Sequence, residues 1–138
     1  MTWTQLSTLI VAKCQTSGLV QSTSVFDYEK ATFDNYPAIT VTPSDNTADF
    51  ADTSRNYIYY TFSIKCYMER LETTAEVAES TLRALVDDLI QKFNADPTLG
   101  GQLVSGYSKP IPSVWGYRQG DEPLDRVAEI KYLTYFVQ

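Results

Sequence analysis

Strict alternation of apolar and polar positions over residues 57–69 (YIYYTFSIKCYME) predicts a long β-strand. Because strand side chains reverse direction at every residue, one face would carry the core residues Ile58, Tyr60, Phe62, Ile64, Cys66 and Met68. The other face would carry Tyr57, Tyr59 and Tyr67 among polar residues. A solvated sheet face is usually plainly polar, whereas tyrosine is enriched at protein interfaces. The pattern therefore predicts a core face and, opposite it, a face that meets a partner subunit.

Two other segments show the periodicity of amphipathic helices. Residues 2–16 repeat apolar side chains at helical intervals behind Thr2, a residue type that often caps helix N-termini. Residues 73–94 open with a capping box formed by Thr73 and Glu76. The second helix carries a continuous core stripe, which consists of Ala78, Leu82, Leu85, Val86, Leu89 and Phe93. We expect each helix to pack one side against the sheet.

Shorter signals place the remaining strands. Residues 37–43 form a brief apolar run between two prolines, which suits an edge position in a sheet. Residues 102–107 and 112–117 predict two more short strands. Residues 126–137 alternate in the same way as residues 57–69 and predict the last strand.

The stretch between residues 43 and 56 is rich in Ser, Thr, Asp and Asn and holds one aromatic residue, Phe50. It predicts a long, protruding hairpin loop, and such loops inside compact domains are usually functional or disordered. A phenylalanine in an acidic loop favours docking onto a partner. The order of elements then predicts an α+β fold with a single, mostly antiparallel sheet and two helices packed on it. The length of 138 residues fits one domain over residues 1–138.

Composition narrows the functional classes. The net charge is −6, and the eleven basic residues are not clustered, which argues against binding to a phosphate backbone. Cys14 and Cys66 match no metal or redox spacing and are expected to be buried thiols. The N-terminus has no signal-peptide pattern and no window reaches the length of a membrane span, so a protein of a reducing compartment is expected.

Candidate chemistry is sparse. The chain has no histidine, and so lacks the commonest general base and metal ligand. Ser108 and Lys109 could form a catalytic pair, but neighbours on an extended segment point apart, and a solvated turn is the simpler interpretation. Asp45, Asp49 and Asp52 could bind a hard cation, yet the spacing of a calcium loop fails and a solvated acidic loop is favoured. We therefore predict no catalytic, cofactor or metal residues and no enzymatic activity.

Two aromatic features leave alternatives open. Trp115 and Arg118 fit an interface hot spot, and they fit equally well a core tryptophan followed by a strand end. Tyr57, Tyr59 and Tyr67 either meet a partner or lie beneath the helix of residues 2–16. The candidate interface set is Phe50, Tyr57, Tyr59, Tyr67, Trp115 and Arg118.

The order of these elements resembles the tail terminator (tail-completion, or head–tail joining) proteins of long-tailed bacteriophages. The resemblance is carried by Tyr67-Met68-Glu69-Arg70 at the end of the long strand and by the acid-faced helix that closes at Asn94 to Pro97. Tyr107, Pro112 and the run Trp115-Gly116-Tyr117 follow before the final strand. The similarity covers most of the chain as element order, through motifs that are weak individually.

This resemblance implies a structural virion protein that forms a ring, usually of six copies, at the head-proximal end of the tail tube. The ring would stop polymerisation of the major tail protein and join the tail to the head completion or connector protein. It would assemble in the host cytoplasm, and DNA would pass through its acidic lumen without specific binding. Other interpretations are a different neck or head-closure protein and, outside virions, a small α+β ligand-binding domain.

Overall fold

Five strands and two helices make up the regular structure of a computed structural model, which describes residues 2–50, 56–69, 75–103, 105–118 and 125–137. The side chains of residues 45–50, 56, 57, 112 and 113 lie outside this description. The elements are α1 (Trp3–Gln15), β1 (Val25–Phe26), β2 (Ala38–Phe50), β3 (Asn56–Met68), α2 (Ala75–Asn94), β4 (Tyr107–Tyr117) and β5 (Arg126–Val137).

The strands form one sheet in the order β1-β2-β3-β5-β4. β1 runs parallel to β2, and the other three pairings are antiparallel. The long strand β3 lies at the centre, because it pairs with β2 on one side and with β5 along its length on the other. The fold is therefore α+β with a single, mostly antiparallel sheet, as predicted.

Both helices pack on the same face of this sheet. Leu6, Ile10 and Cys14 of α1 join the buried stripe of α2 in one core cluster with the inward residues of the strands. Trp3 closes the open end of this core, since its ring meets the rings of Tyr60 and Phe62 edge-on at 4.4 and 5.1 Å. The predicted core face of β3 is confirmed: Tyr60, Phe62, Ile64 and Cys66 are buried, and Ile58 and Met68 pack against the cluster.

The helix predictions are confirmed wherever the structure describes them. Thr2 caps α1 by accepting from the backbone N–H of Gln5, whose side chain accepts in return from the Thr2 backbone. The buried residues of α2 are the six of the predicted stripe. The capping residue Thr73 lies outside the described residues. Cys14 and Cys66 are free and buried, and burial raises the pKa of both thiols.

The prediction of a long loop between residues 43 and 56 was wrong for its described part. Residues 44–50 continue β2 past Pro43, after a register shift between Pro43 and Asp45, and pair with β3 as far as Phe50 and Asn56. Residues 51–55 lie outside the described residues. The polar stretch is a strand because β3 provides a long ladder of backbone partners beside it, which local propensity does not anticipate.

The two short strands predicted at residues 102–107 and 112–117 were also wrong in their bounds. One strand, β4, covers Tyr107–Tyr117, and the described residues before it, 97–103 and 105, form turns in which Leu103 is buried. A register shift between Pro112 and Val114 absorbs the irregularity. β4 occupies the end of the sheet, where prolines are tolerated because their missing N–H can face outward.

Candidate functional site

The side of the sheet away from the helices carries an exposed aromatic group at one end. Tyr59, Tyr135 and Tyr107 stand in a single row across β3, β5 and β4, with ring centroids 5.7 Å apart in the first pair and 5.9 Å in the second. Leu133 and Ile111 extend the row along neighbouring positions. We call these five residues the open-face cluster. Tyr107 is 55% exposed, and Tyr59, Leu133 and Ile111 are each 36–37% exposed.

Local backbone geometry brings Tyr107 into this row. Gly106 precedes it, and a Cβ atom at that position would overlap the carbonyl oxygen of Tyr135. Only glycine therefore allows the start of β4 to approach β5 so closely. A cleft of about 460 Å³ lies in the same region, lined by Tyr59, Thr61, Tyr107, Ser108, Lys109, Leu133, Thr134 and Tyr135.

On the β4–β5 side of the cluster, the charged side chains have the opposite sign to the net charge of the chain. Lys109 and Lys131 are both exposed, and each lies on a strand that contributes to the cluster. They are close diagonal neighbours across β4 and β5, since Lys109 is opposite Leu133 and Lys131 is opposite Ile111. The apolar cluster thus has a positive margin on its β4–β5 side, on a chain of net charge −6.

At the opposite end of the same sheet side, the part around Tyr67 is covered by the chain itself. The segment of residues 27–37 crosses it and places the ring of Phe33 at 4.9 Å from that of Tyr67. Tyr67 is consequently only 3% exposed, and its hydroxyl donates to the Glu29 carboxylate at 2.9 Å. Burial raises the pKa of that hydroxyl to about 12, so it stays a donor. Helix α1 lies on the other side of the sheet and does not provide this cover.

Arg118 fastens the covering segment to the sheet. Its guanidinium lies 5.2 Å from the Phe33 ring and 5.0 Å from the Tyr67 ring, and it donates to the Lys30 carbonyl oxygen. Asp125 pairs with the same guanidinium at 3.6 Å and accepts from the Tyr36 hydroxyl at 2.9 Å. Arg118 therefore stabilises the fold through contacts within the chain, between the covering segment and the sheet.

A second exposed patch lies on the helix side of the sheet, near the start of α2. Arg126 forms two hydrogen bonds with the Glu79 carboxylate, at 2.7 and 3.2 Å, and donates to the Gly116 carbonyl oxygen at 3.1 Å. Its guanidinium lies 5.5 Å from the Trp115 ring and 4.9 Å from the Tyr117 ring. The hydrogen bond from Arg126 holds the pKa of the Glu79 carboxyl below its usual value.

This second patch also exposes apolar surface. Val77, Trp115 and Tyr117 are 63%, 39% and 49% exposed. Arg126 contacts Trp115 and Tyr117, and Val77 lies on α2 between Glu76 and Ala78, which line a cleft with Tyr117 and Arg126. We call Val77, Trp115, Tyr117 and Arg126 the edge patch. The adjoining cleft has a volume of about 370 Å³ and is lined by Ala75, Glu76, Ala78, Glu79, Tyr117 and Arg126.

The structure separates the six residues proposed from sequence. Tyr59 belongs to the open-face cluster and Trp115 to the edge patch, whereas Tyr67 and Arg118 lie at the covered end of the sheet. Phe50 and Tyr57 take part in the β2–β3 ladder, and their side chains lie outside the described residues. The cation that stacks on Trp115 is Arg126.

Sequence reasoning missed most of the open-face cluster. Tyr107, Ile111, Leu133 and Tyr135 come from the last third of the chain, which was assigned strands but no site. The signal was present, because Leu133 and Tyr135 occupy the supposedly polar face of an alternating strand. Their proximity to Tyr59 depends on β5 pairing with β3, which the chain order alone does not fix.

The candidate chemistry named from the sequence can be located only in part. The Ser108 hydroxyl donates to the Pro97 carbonyl oxygen at 3.0 Å. Within the described ranges, no three Asp, Glu or Cys side chains are grouped so that they could hold a metal ion. The cation site considered for Asp45, Asp49 and Asp52 lies outside the described side chains. Of the helices in the described ranges, none has both the length and the apolar character needed to cross a membrane.

Comparison with known proteins gives a likeness of fold. The sequence matches no protein-family model and no curated protein. Among solved structures, the chain is similar to one in the virion of a native gene transfer agent particle, with a TM-score of 0.61 and 12% sequence identity. The likeness covers 96% of this chain and 95% of that one. The two chains therefore share a fold over nearly their whole lengths.

Proposed function

We propose that this protein is a structural component of a phage-type virion and acts as a tail terminator. In this role it forms a ring of about six copies on the head-proximal end of the tail tube. The ring stops polymerisation of the major tail protein and presents a surface to the head completion or connector protein. It acts through binding alone, without catalysis.

The observation that carries this proposal is the fold likeness to a chain of a gene transfer agent virion. It extends over 96% of this chain, so the resemblance is not confined to a common sub-motif. The resemblance of the element order to tail terminators, drawn from the sequence, makes the assignment more specific. The fold likeness and the resemblance in element order both support a structural protein of a phage-type virion, although they rest on different observations.

The surface properties are compatible with a ring subunit. The open-face cluster and the edge patch are apolar, exposed and located on opposite sides of one sheet. Two different patches on one subunit are what a head-to-tail contact requires, and such contacts generate closed rings when the rotation between subunits closes. The acidic balance of the chain suits a lumen through which DNA slides without adhesion.

The first test is assembly in solution and on tubes. We expect light scattering to give about six copies, and electron micrographs to show a ring with a central hole. When the protein is added to polymerising tail-tube protein from the same genome, the rings should bind tube ends and stop their elongation. A monomer at every concentration, with no binding to tubes, would contradict the proposal.

A second test separates a terminator from another neck protein. Without a terminator, the encoding phage or particle should produce tails of irregular, excessive length that carry no heads. Without a head-closure protein, tails should keep their normal length and remain detached from heads. Normal-length tails in the gene-deleted strain would thus reassign the protein to the head side of the joint.

A further inference from the structure

We propose that the edge patch of one copy docks on the open-face cluster of the next copy, and that this head-to-tail contact builds the ring. The inference rests on the proposed function and adds which surfaces meet. The occupant of the open-face cluster is therefore a second copy of this chain, presented through Val77, Trp115 and Tyr117.

The positions of the two surfaces favour this pairing over a twofold dimer. On β4, Tyr107 and Ile111 face away from the helices, whereas Trp115 pairs with the core residue Ala128 and faces the helix side. A twofold contact through either surface would leave the other exposed on both copies. A head-to-tail contact covers one surface of each kind at every junction, and so covers all of them once the ring closes.

Charge complementarity points the same way. Lys109 and Lys131 border the open-face cluster, and both are exposed. If two clusters faced each other, these lysines would be brought together, and like charges at a contact oppose binding. The edge patch instead lies beside Glu76, which is exposed at the first turn of α2. The head-to-tail contact places this carboxylate opposite the lysines.

The edge patch is also ordered before binding. Arg126 is held by Glu79 and Gly116, and its guanidinium supports the rings of Trp115 and Tyr117. Rings that are already fixed lose little side-chain entropy on binding, and tryptophan and tyrosine are the usual anchors of protein interfaces. The cleft of about 460 Å³ in the open-face cluster offers an apolar recess for such an anchor.

Two variants, each damaging one surface, test the contact. Lys109→Glu with Leu133→Ser alters the open-face cluster, and Val77→Glu alters the edge patch; all three positions are exposed. We expect each variant alone to be a folded monomer, with a dissociation constant raised about 30-fold or more. An equimolar mixture should form a 1:1 dimer and nothing larger, because only one intact cluster and one intact edge patch remain.

A charge swap tests the ionic part of the same contact. Lys109→Glu alone should weaken the ring, and Glu76→Lys added to the same chain should restore it, since opposite charges again face each other. Tyr28→Ala is the matched control, because Tyr28 is 54% exposed but belongs to neither surface. Circular dichroism checks the fold of each variant, and Val77→Asn and Lys109→Gln replace any variant that does not fold.

Three results would overturn this inference while leaving the ring itself in place. The first is that the variants of the open-face cluster or the edge patch still form rings, and the second is that their equimolar mixture stays monomeric. The third is loss of the ring in Tyr28→Ala, which would assign the contact to the segment of residues 27–37. A wild-type chain that forms no ring would instead count against the proposed function.

Discussion

Two arginines close to each other in the chain stabilise opposite sides of the sheet. Arg118 holds the covering segment over Tyr67, whereas Arg126 supports Trp115 and Tyr117 on the helix side. The sequence analysis treated Trp115 and Arg118 as one possible interface hot spot because they are only three residues apart in the chain. Positions an odd number apart on an extended chain point to opposite sides, so the pair is divided between two surfaces.

The role assigned to Arg118 predicts a specific loss of stability. Arg118→Ala should lower the free energy of unfolding by about 2 kcal/mol or more, because Asp125 would be left without its cation and the Phe33 and Tyr67 rings without their cover. Arg83→Ala is the matched control, since it removes an exposed pair with Glu79 and should change stability by at most about 0.5 kcal/mol. Urea denaturation measures the free energy of unfolding of both variants. Equal losses would show that Arg118 does not hold the covering segment on the sheet.

At the scale of elements, periodicity predicted those parts whose burial follows a regular stripe. α2, β3 and β5 each alternate or repeat along their length, and the core residues predicted for α2 and β3 were identified correctly. β2 beyond Pro43 was missed because Ser, Thr, Asp and Asn are typical of loops, and only the partner strand reveals the ladder. The two surfaces were missed for a related reason, since each joins residues from separate elements.

The contact between α2 and β5 predicts a dependence on pH. Because Arg126 lowers the folded-state pKa of Glu79, the contact stabilises the protein above the unfolded pKa of about 4.3 and is lost as the pH falls through the folded value. Wild type should therefore lose more stability than Glu79→Gln on acidification below about pH 5. Denaturation at a series of pH values tests this, and parallel curves for the two proteins would contradict it.

At the scale of the whole molecule, the fold and charge could be predicted, but the two exposed surfaces could not. The net charge of −6 follows from composition alone, whereas the positive margin formed by Lys109 and Lys131 appears only when β4 lies beside β5. Such a surface forms only when particular strands pair. A single sequence therefore shows which residue types are available but not which of them lie side by side.

The overall charge predicts that the protein does not retain DNA. An acidic surface repels the phosphate backbone at long range, and low salt strengthens that repulsion. We expect no shift of a DNA duplex in a gel at about 50 mM salt, with or without ring formation. Lys109→Glu serves as a comparison that removes part of the positive margin. A shift of the wild-type complex that disappears in this variant would show that the lysines contact DNA.

The prolines of β4 limit how copies of the chain can associate through the edge of the sheet. Pro110 and Pro112 lie on the strand that ends the sheet, and neither has a backbone N–H to offer an approaching chain. This border is therefore a poor template for adding strands, the route by which exposed sheet edges grow into fibres. High local concentrations at an assembly site should then leave neighbouring sheets separate instead of fusing them along this border.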